Sequence, residues 1–153
     1  FNHVTVSNYY KHKVRQAGSV HISNYFRHQI GEITGEYEQI EFTNSIIYGN
    51  MDDEFTFNLY SETNTLNCNL VNCLLKAKDE TLLLKRVNHQ NLIFSEEPLL
   101  TNRETKNYMY PDTLSPFIDK ASVQFSTQIP FDLLGNSRFS DGKPDLGAIE
   151  FQK

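Results

Sequence analysis

The chain has 153 residues, enough for one domain, and 39% of them are hydrophobic, enough to form a core. The formal net charge is −5, because 19 acidic residues outnumber 14 Lys and Arg. This balance argues against binding to nucleic acid or to an anionic membrane surface, since both select clustered Lys and Arg. No run of residues approaches the ~18 apolar residues that span a bilayer, so we expect no membrane span.

A short pattern recurs four times along the first half of the chain: apolar, any, apolar, small or β-branched, Asn, any, apolar. The copies are residues 4–10, 20–26, 40–46 and 68–74. Apolar residues two apart lie on one face of a strand, and Asn favours a turn because it tolerates left-handed backbone. Each copy therefore predicts a strand, a turn and the start of another strand.

The Asn residues of the four copies suggest stacked layers joined by loops of different lengths, because their spacing is unequal while the local pattern is constant. In such a stack the Asn side chains would bond one another along the axis. The predicted ladder consists of Asn8, Asn24, Asn44 and Asn72. The alternative interpretation is a meander of antiparallel strands with Asn in ordinary turns.

Two further segments follow the third copy. Residues 54–60 alternate apolar and polar side chains, which predicts a strand with Phe55, Phe57 and Leu59 on one face. Residues 74–87 fit an amphipathic helix or a strand and turn, and both interpretations stay open. We expect Cys68 and Cys73 to be small buried residues and not a disulfide or a metal site.

Candidate ligand-binding residues fall in two places. Tyr9 and Tyr25 each follow a predicted ladder Asn, so they could form an aromatic strip that binds sugar rings or simply stabilises adjacent layers. Asp52 and Asp53 lie in a predicted loop. They could form part of a carboxylate pair for glycoside hydrolysis or a weak calcium site, or they could be a solvated acidic turn. Apart from that calcium alternative, we predict no cofactor, and no histidine has zinc-motif spacing.

The basic residues Lys11, Lys13 and Arg15 lie between the first two copies, together with His12. This stretch could meet an anionic sugar, or it could be a solvated loop.

The chain changes character after residue 110. We predict that residues 1–110 form the stacked layers and that residues 111–153, which are rich in Pro and Gly, form a capping segment of the same domain. Asp132 and Arg138 flank a predicted turn and could pair across it. With three other acids they predict a structural polar network, and Gly147 would permit close backbone approach. The three other acids are Asp119, Asp145 and Glu150.

Several segments carry a resemblance to one family. They are residues 44–50 (Asn-Ser-Ile-Ile-Tyr-Gly-Asn), 97–100 (Glu-Pro-Leu-Leu), 115–121 (Ser-Pro-Phe-Ile-Asp-Lys-Ala), 132–138 (Asp-Leu-Leu-Gly-Asn-Ser-Arg) and 142–151. In this order they resemble the coil motif and closing signature of bacterial exported right-handed parallel β-helix repeat proteins. The resemblance implies an all-β, right-handed parallel β-helix with a loop-rich C-terminal cap, and a secreted or cell-surface location. The right-handed bias of parallel crossovers agrees with that handedness.

The functional expectation is glycan binding or adhesion by a monomeric cell-envelope protein, without catalysis in this segment. The alternative is a polysaccharide lyase or glycoside hydrolase whose active face lies mainly on coils upstream of residue 1. A purely structural spacer is a third hypothesis. Fold alone does not decide among these, because one architecture hosts many functions.

Overall fold

A computed structural model describes residues 1–9, 14–61, 67–101 and 109–152. Short strands of two to four residues and two short helices make up its regular structure. The first nine strands are β1 (Thr5–Asn8), β2 (Val20–Ser23), β3 (Tyr25–His28), β4 (Gly31–Thr34), β5 (Ile40–Thr43), β6 (Ile46–Gly49), β7 (Phe55–Asn58), β8 (Cys68–Val71) and β9 (Leu74–Leu75). They are followed by α1 (Glu80–Arg86), β10 (Asn88–Gln90), β11 (Ile93–Phe94), β12 (Leu100–Thr101), β13 (Tyr110–Pro111) and α2 (Val123–Ser126).

Within these ranges the strands form five separate sheets. Three are parallel, with the orders β1-β6-β9-β11, β10-β8-β5 and β2-β7. Two are antiparallel pairs, β3-β4 and β12-β13. Parallel strands that are distant in sequence thus lie side by side, and local hairpins interrupt them.

The predicted right-handed parallel β-helix is wrong for this chain. The strands are divided among small separate sheets, two of which are antiparallel, and no continuous solenoid runs through the described residues. The segment after Asn24 folds back as the β3-β4 hairpin instead of entering another layer. After β9 the chain forms helix α1.

The physical reason is that the four sequence copies are not equivalent in space. The third and fourth copies do pair in register, Ile40 with Cys68 and Ile46 with Leu74. In the first copy, however, Thr5 pairs with Ile46, so Asn8 lies beside Gly49. The second copy pairs with β7, which carries no copy of the pattern. A constant local pattern therefore predicts strands and turns but not their partners.

The core has two parts, one between the parallel sheets and one against residues from the C-terminal part of the chain. The first contains Phe42, Phe55, Leu70 and Leu75, among others. In the second, Ile46, Tyr48 and Leu74 pack against three residues from later in the chain, Leu100, Phe117 and Leu146. Leu100, Phe117 and Leu146 therefore cover part of the β1-β6-β9-β11 sheet and contribute to the core.

Candidate functional site

Three tyrosines form a surface group beside the end of the β2-β7 sheet, here called the tyrosine cluster: Tyr25, Tyr37 and Tyr60. The rings of Tyr25 and Tyr60 meet edge to face with centroids 5.8 Å apart. The Tyr25 hydroxyl donates to Asn58 Oδ1 at 2.9 Å, and the Tyr37 hydroxyl donates to the Ser23 carbonyl oxygen. Tyr37 is 42% exposed and Tyr60 is 52% exposed, so aromatic surface with adjacent amide groups faces solvent.

The sheet register explains why these rings meet. Ser23 lies opposite Asn58, so the residues two positions further on, Tyr25 and Tyr60, lie next to each other. The Asn24 side chain fixes the second segment, because its Oδ1 accepts a hydrogen bond from the Tyr60 amide at 2.7 Å. Sequence alternation predicted β7, but the pairing of β2 with β7 had no sequence signal that could have identified it.

The β3-β4 hairpin adds charge to the cluster without leaving a cation unpaired. Arg27 lies over the Tyr25 ring, with its guanidinium carbon 5.4 Å from the ring centroid. The same guanidinium pairs with Glu32 at 2.6 Å, and both side chains are exposed. Glu32 thus offsets the charge of Arg27, which adds little net positive charge to the tyrosine cluster.

The structure does not bring Tyr9 and Tyr25 into one strip. Tyr9 follows β1, its ring is 6.4 Å from that of Tyr48, and its hydroxyl donates to Glu97 Oε1 at 2.7 Å. Tyr25 lies in β3, in a different sheet. Of the two predicted binding tyrosines, only Tyr25 belongs to the tyrosine cluster.

Asp52 and Asp53 lie in the turn before β7. Asp52 is exposed, and Asp53 accepts a hydrogen bond from the Lys78 amide at 3.3 Å. Of the basic stretch, Lys11, His12 and Lys13 lie outside the described residues. No group of three or more His, Cys, Asp or Glu within the described ranges is arranged to hold a metal ion.

Glu54 and Arg15 form a buried ion pair that the sequence interpretation missed. Glu54 is fully buried, and Arg15 bonds both of its oxygens, at 2.8 and 2.7 Å. Burial alone would raise the pKa of Glu54, but hydrogen bonds from Arg15, Ser19 and the Met51 amide outweigh burial and lower it. Arg15 therefore serves to hold the turn before β7, which leaves it unable to meet an anionic sugar.

A cleft lies between β7 and α1, here called the β7–α1 cleft. Its volume is about 300 Å³. The apolar part of its lining includes Phe57, Leu82 and Leu83, and the polar part includes Asp79 and Arg86. Asp79 is already engaged as the N-cap of α1, since its carboxylate accepts a hydrogen bond from the Leu82 amide at 2.8 Å. The sequence left residues 74–87 open between helix and strand, so it could not place this cleft.

Of the four predicted ladder residues, the structure brings Asn44 and Asn72 into equivalent positions. Both have positive φ, 48° and 51°, as expected for Asn in a tight turn between strands. Asn8 ends β1 and Asn24 separates β2 from β3, so neither lies in this register. By register, His3 aligns with Asn44 and Asn91 aligns with Asn72. Their φ values are 55° and 51°.

The Asn44 and Asn72 side chains bond to the closing segment (residues 111–152) and not to each other. Asn44 accepts a hydrogen bond from the Ser122 amide at 2.7 Å and donates to the Ser122 carbonyl oxygen at 3.2 Å. Asn72 donates to the Lys120 carbonyl oxygen at 2.9 Å. These amides therefore fasten residues 120–122 alongside the turns.

His3 completes a buried polar cluster with Asn44 and Ser126. Its Nε2 lies 2.8 Å from Ser126 Oγ and 3.1 Å from Asn44 Nδ2. Burial, followed by the positive charge of Arg138, lowers the pKa of His3 to about 4. Although Ser and His are in contact, Ser126 has no exposed surface, so the arrangement joins the N-terminal and C-terminal segments and offers no accessible nucleophile.

Of the predicted cap residues, Asp132, Arg138, Asp145 and Glu150 are buried in one region, with different partners from those expected, whereas Asp119 is exposed. Arg138 contacts Glu150 at 3.3 Å, not Asp132. The Asp132 carboxylate instead accepts hydrogen bonds from the backbone amides of Leu134, Asn136 and Glu150. The amides of two further residues, Asp119 and Phe151, donate to the Asp145 carboxylate, each at 2.7 Å.

Glu150 has the largest pKa shift in this region. Burial and the nearby charge of Asp145 raise its pKa to about 8, and burial also raises the pKa of Asp145. Three carboxyl groups share one guanidinium here, so a proton on Glu150 reduces an excess of buried negative charge. These groups bond backbone amides or one another.

Comparison with known proteins gives no relative. No family model, no curated protein sequence and no solved structure matches this chain. Among the described residues, no helix is both long and apolar enough to cross a bilayer.

Proposed function

We propose that this chain is a carbohydrate-binding module and that its tyrosine cluster binds a neutral glycan. The exposed Tyr37 and Tyr60 rings support this proposal, because sugar rings dock their apolar faces on aromatic surfaces. Asn58 and the peptide groups around Asn24 supply polar groups beside the rings. A neutral ligand fits better than an acidic one, since Arg27 is paired with Glu32 and the chain carries a net charge of −5.

The single observation that carries the proposal is the edge-to-face pair of Tyr25 and Tyr60 held at the surface by Asn24 and Asn58. Hydrogen bonds from the Tyr25 hydroxyl and from the Tyr60 backbone amide hold these two residues in place before any ligand arrives. A fixed surface loses little conformational entropy on binding. It therefore suits recognition of a repeating polymer at modest affinity.

Replacement of Tyr60 tests this proposal. We expect Tyr60→Ala to weaken binding to a neutral polysaccharide roughly tenfold, since it removes a stacking surface, whereas Tyr60→Phe should retain binding. Affinity electrophoresis against neutral and acidic polysaccharides, followed by calorimetry, gives the affinities. The matched control is Tyr110→Ala, because Tyr110 is partly exposed but lies outside the cluster. Unchanged binding by a folded Tyr60→Ala protein would contradict the proposal.

The enzyme alternative predicts a different result. A lyase or glycoside hydrolase would release reducing ends from one polysaccharide, and a lyase would respond to calcium. We expect no release with or without calcium, because Asp53 and Asp79, the two acids that line the β7–α1 cleft, each accept a hydrogen bond from a backbone amide. Release from any substrate would favour the enzyme.

A location outside the cell is part of the same proposal. It rests on the resemblance of residues 132–138 and 142–151 to segments of exported proteins. Protease treatment of intact producing cells tests it, since a surface-located chain is cut before the cells are broken. Protection until lysis would contradict a surface location.

A further inference from the structure

The β2-β7 sheet stops at two strands, whereas the other two parallel sheets contain three and four. Its strand β7 pairs with β2 along one edge only. Backbone groups of successive residues in a strand point to opposite edges, so the bonded residues identify the free ones. Val20 donates to the Glu54 carbonyl and Asn24 donates to the Asn58 carbonyl. The intervening Phe55 and Phe57 therefore direct their amide and carbonyl groups to the other edge.

Near the start of β7, residues 76–78 lie along this second edge. Beyond residue 78 the chain leaves the edge. The Glu54 amide donates to the Lys76 carbonyl at 2.8 Å, and the Lys78 amide donates to the Asp53 side chain at 3.3 Å. From Asp79 onward the chain turns into α1. No described residue bonds the outward amide and carbonyl of Phe57, which thus face the β7–α1 cleft.

The cleft offers side-chain pockets as well as a free strand edge. Phe57 and Leu83 form apolar walls, and Leu82, 48% exposed, stands at the opening. Arg86 also lines the cleft, and its guanidinium group makes no hydrogen bond or ion pair with a residue within the described ranges. An extended peptide could therefore bond the backbone of Phe57, bury an apolar side chain and place a carboxylate near Arg86.

We propose that the β7–α1 cleft binds an extended peptide, which adds to β7 as the third strand of the β2-β7 sheet. Main-chain hydrogen bonds to Phe57 provide affinity, and Leu82 and Arg86 select an apolar residue followed or preceded by an acid. An unpaired strand edge is a template for such pairing. This binding site is separate from the tyrosine cluster and does not depend on the proposed glycan ligand.

The test uses synthetic peptides with blocked ends and the alternating sequence Glu-Val-Thr-Val-Thr, together with a Lys-Val-Thr-Val-Thr series. Each peptide is made unmodified and with a single N-methyl group at each position in turn. N-methylation removes one backbone donor, so methylation at the residue that bonds the Phe57 carbonyl should weaken binding about tenfold, and methylation at its neighbours should not. Hydrogen exchange should show protection of the Phe57 amide in the complex.

Charge exchange on the protein tests the role of Arg86. Arg86→Glu should weaken binding of the Glu peptide about threefold and favour the Lys peptide, since this is a partly exposed pair. Lys85→Glu makes the same charge change on an exposed residue that does not line the cleft, and it should leave both affinities unchanged. Tyr60→Ala should also leave peptide binding unchanged, which separates this proposal from glycan binding.

Three outcomes would overturn the inference. They are absence of binding by both peptide series at millimolar concentration, equal effects of N-methylation at every position, and unaltered exchange of the Phe57 amide.

Discussion

At the scale of single residues, positions with special backbone geometry decide how closely segments approach. Gly147 has φ +88° and its amide donates to the Asn44 carbonyl at 2.7 Å. A Cβ at this position would lie 2.4 Å from Thr5 Oγ1 and 2.8 Å from Ile46 Cδ1. The closing segment can therefore lie against β1 and β6 only if this residue is glycine.

We expect Gly147→Ala to reduce the free energy of unfolding by about 3 kcal/mol, from left-handed backbone strain and overpacking together. The matched control is Gly135→Ala. Gly135 has almost the same φ, +86°, but a Cβ there would meet no atom within 4 Å, so the change should cost about 1 kcal/mol. Urea denaturation measures both. Equal losses would show that the close approach to Thr5 and Ile46 does not matter.

The sequence identified several of the buried charged residues but not the partners that they contact. Asp132, Arg138 and Asp145 stood out because charged residues flank Gly and Pro in the tail, and all three are buried. Their partners were not predictable, because the acid that contacts Arg138 is Glu150, from a segment without a pairing signal. Glu54 could not be singled out in advance, because nothing local indicates that Arg15 reaches it across 39 residues.

At the scale of elements, turns between parallel strands act as attachment points for the closing segment. Asn44 has no exposed surface and bonds residues 122 and 126 as well as His3. Asn91 occupies the equivalent turn in the last layer, with almost the same φ, but it is exposed. Both turns therefore need left-handed backbone, and at Asn44 the side chain also bonds the closing segment.

This contrast separates the two contributions of Asn. We expect Asn44→Ala to cost about 3–4 kcal/mol, because it leaves buried donors and acceptors unpaired in addition to straining the turn. Asn91→Ala should cost about 1 kcal/mol, from strain alone. Chemical denaturation of the two variants gives the difference. A loss at Asn91 as large as that at Asn44 would mean that the side-chain bonds contribute little.

The short pattern around Asn predicted most strands of the first half, including β5, β6, β8 and β9, because alternation and turn chemistry are local. The pattern did not predict which strands pair with each other. The loop lengths between copies do not reveal that β1 pairs with β6 or that β2 pairs with β7, since those pairings depend on contacts formed by the whole chain. The tyrosine cluster depends on the second of these pairings, so only Tyr25 could be singled out in advance.

At the scale of the whole molecule, two buried groups with opposite pKa shifts contribute to the response of stability to pH. His3, with a folded pKa of about 4, contributes stability that is present above the unfolded value of 6.5 and is lost as pH falls through 4. Glu150, with a folded pKa of about 8, contributes stability that is present below 4.5 and is lost as pH rises through 8. Their effects oppose each other between pH 4.5 and 6.5.

Above pH 6.5 only the Glu150 effect of this pair remains, so we expect the free energy of unfolding to fall by about 2 kcal/mol between pH 6.5 and 8. Glu150→Gln should abolish most of this decline, since the amide imitates the neutral acid. Urea denaturation at several pH values measures it, with Glu80→Gln on the exposed first turn of α1 as the control. An unchanged decline in Glu150→Gln would show that another group is responsible.

The contact between the two ends of the chain also affects the order of folding during synthesis. The Ala148 amide donates to Thr5 Oγ1 at 2.9 Å, across 143 positions of sequence. At about 5–20 residues per second, the ribosome needs roughly 7–30 s to supply the second partner after the first. During that interval the Thr5 hydroxyl lacks its Ala148 partner and bonds water instead. The native arrangement around Thr5 can therefore form only after residue 148 has been synthesised.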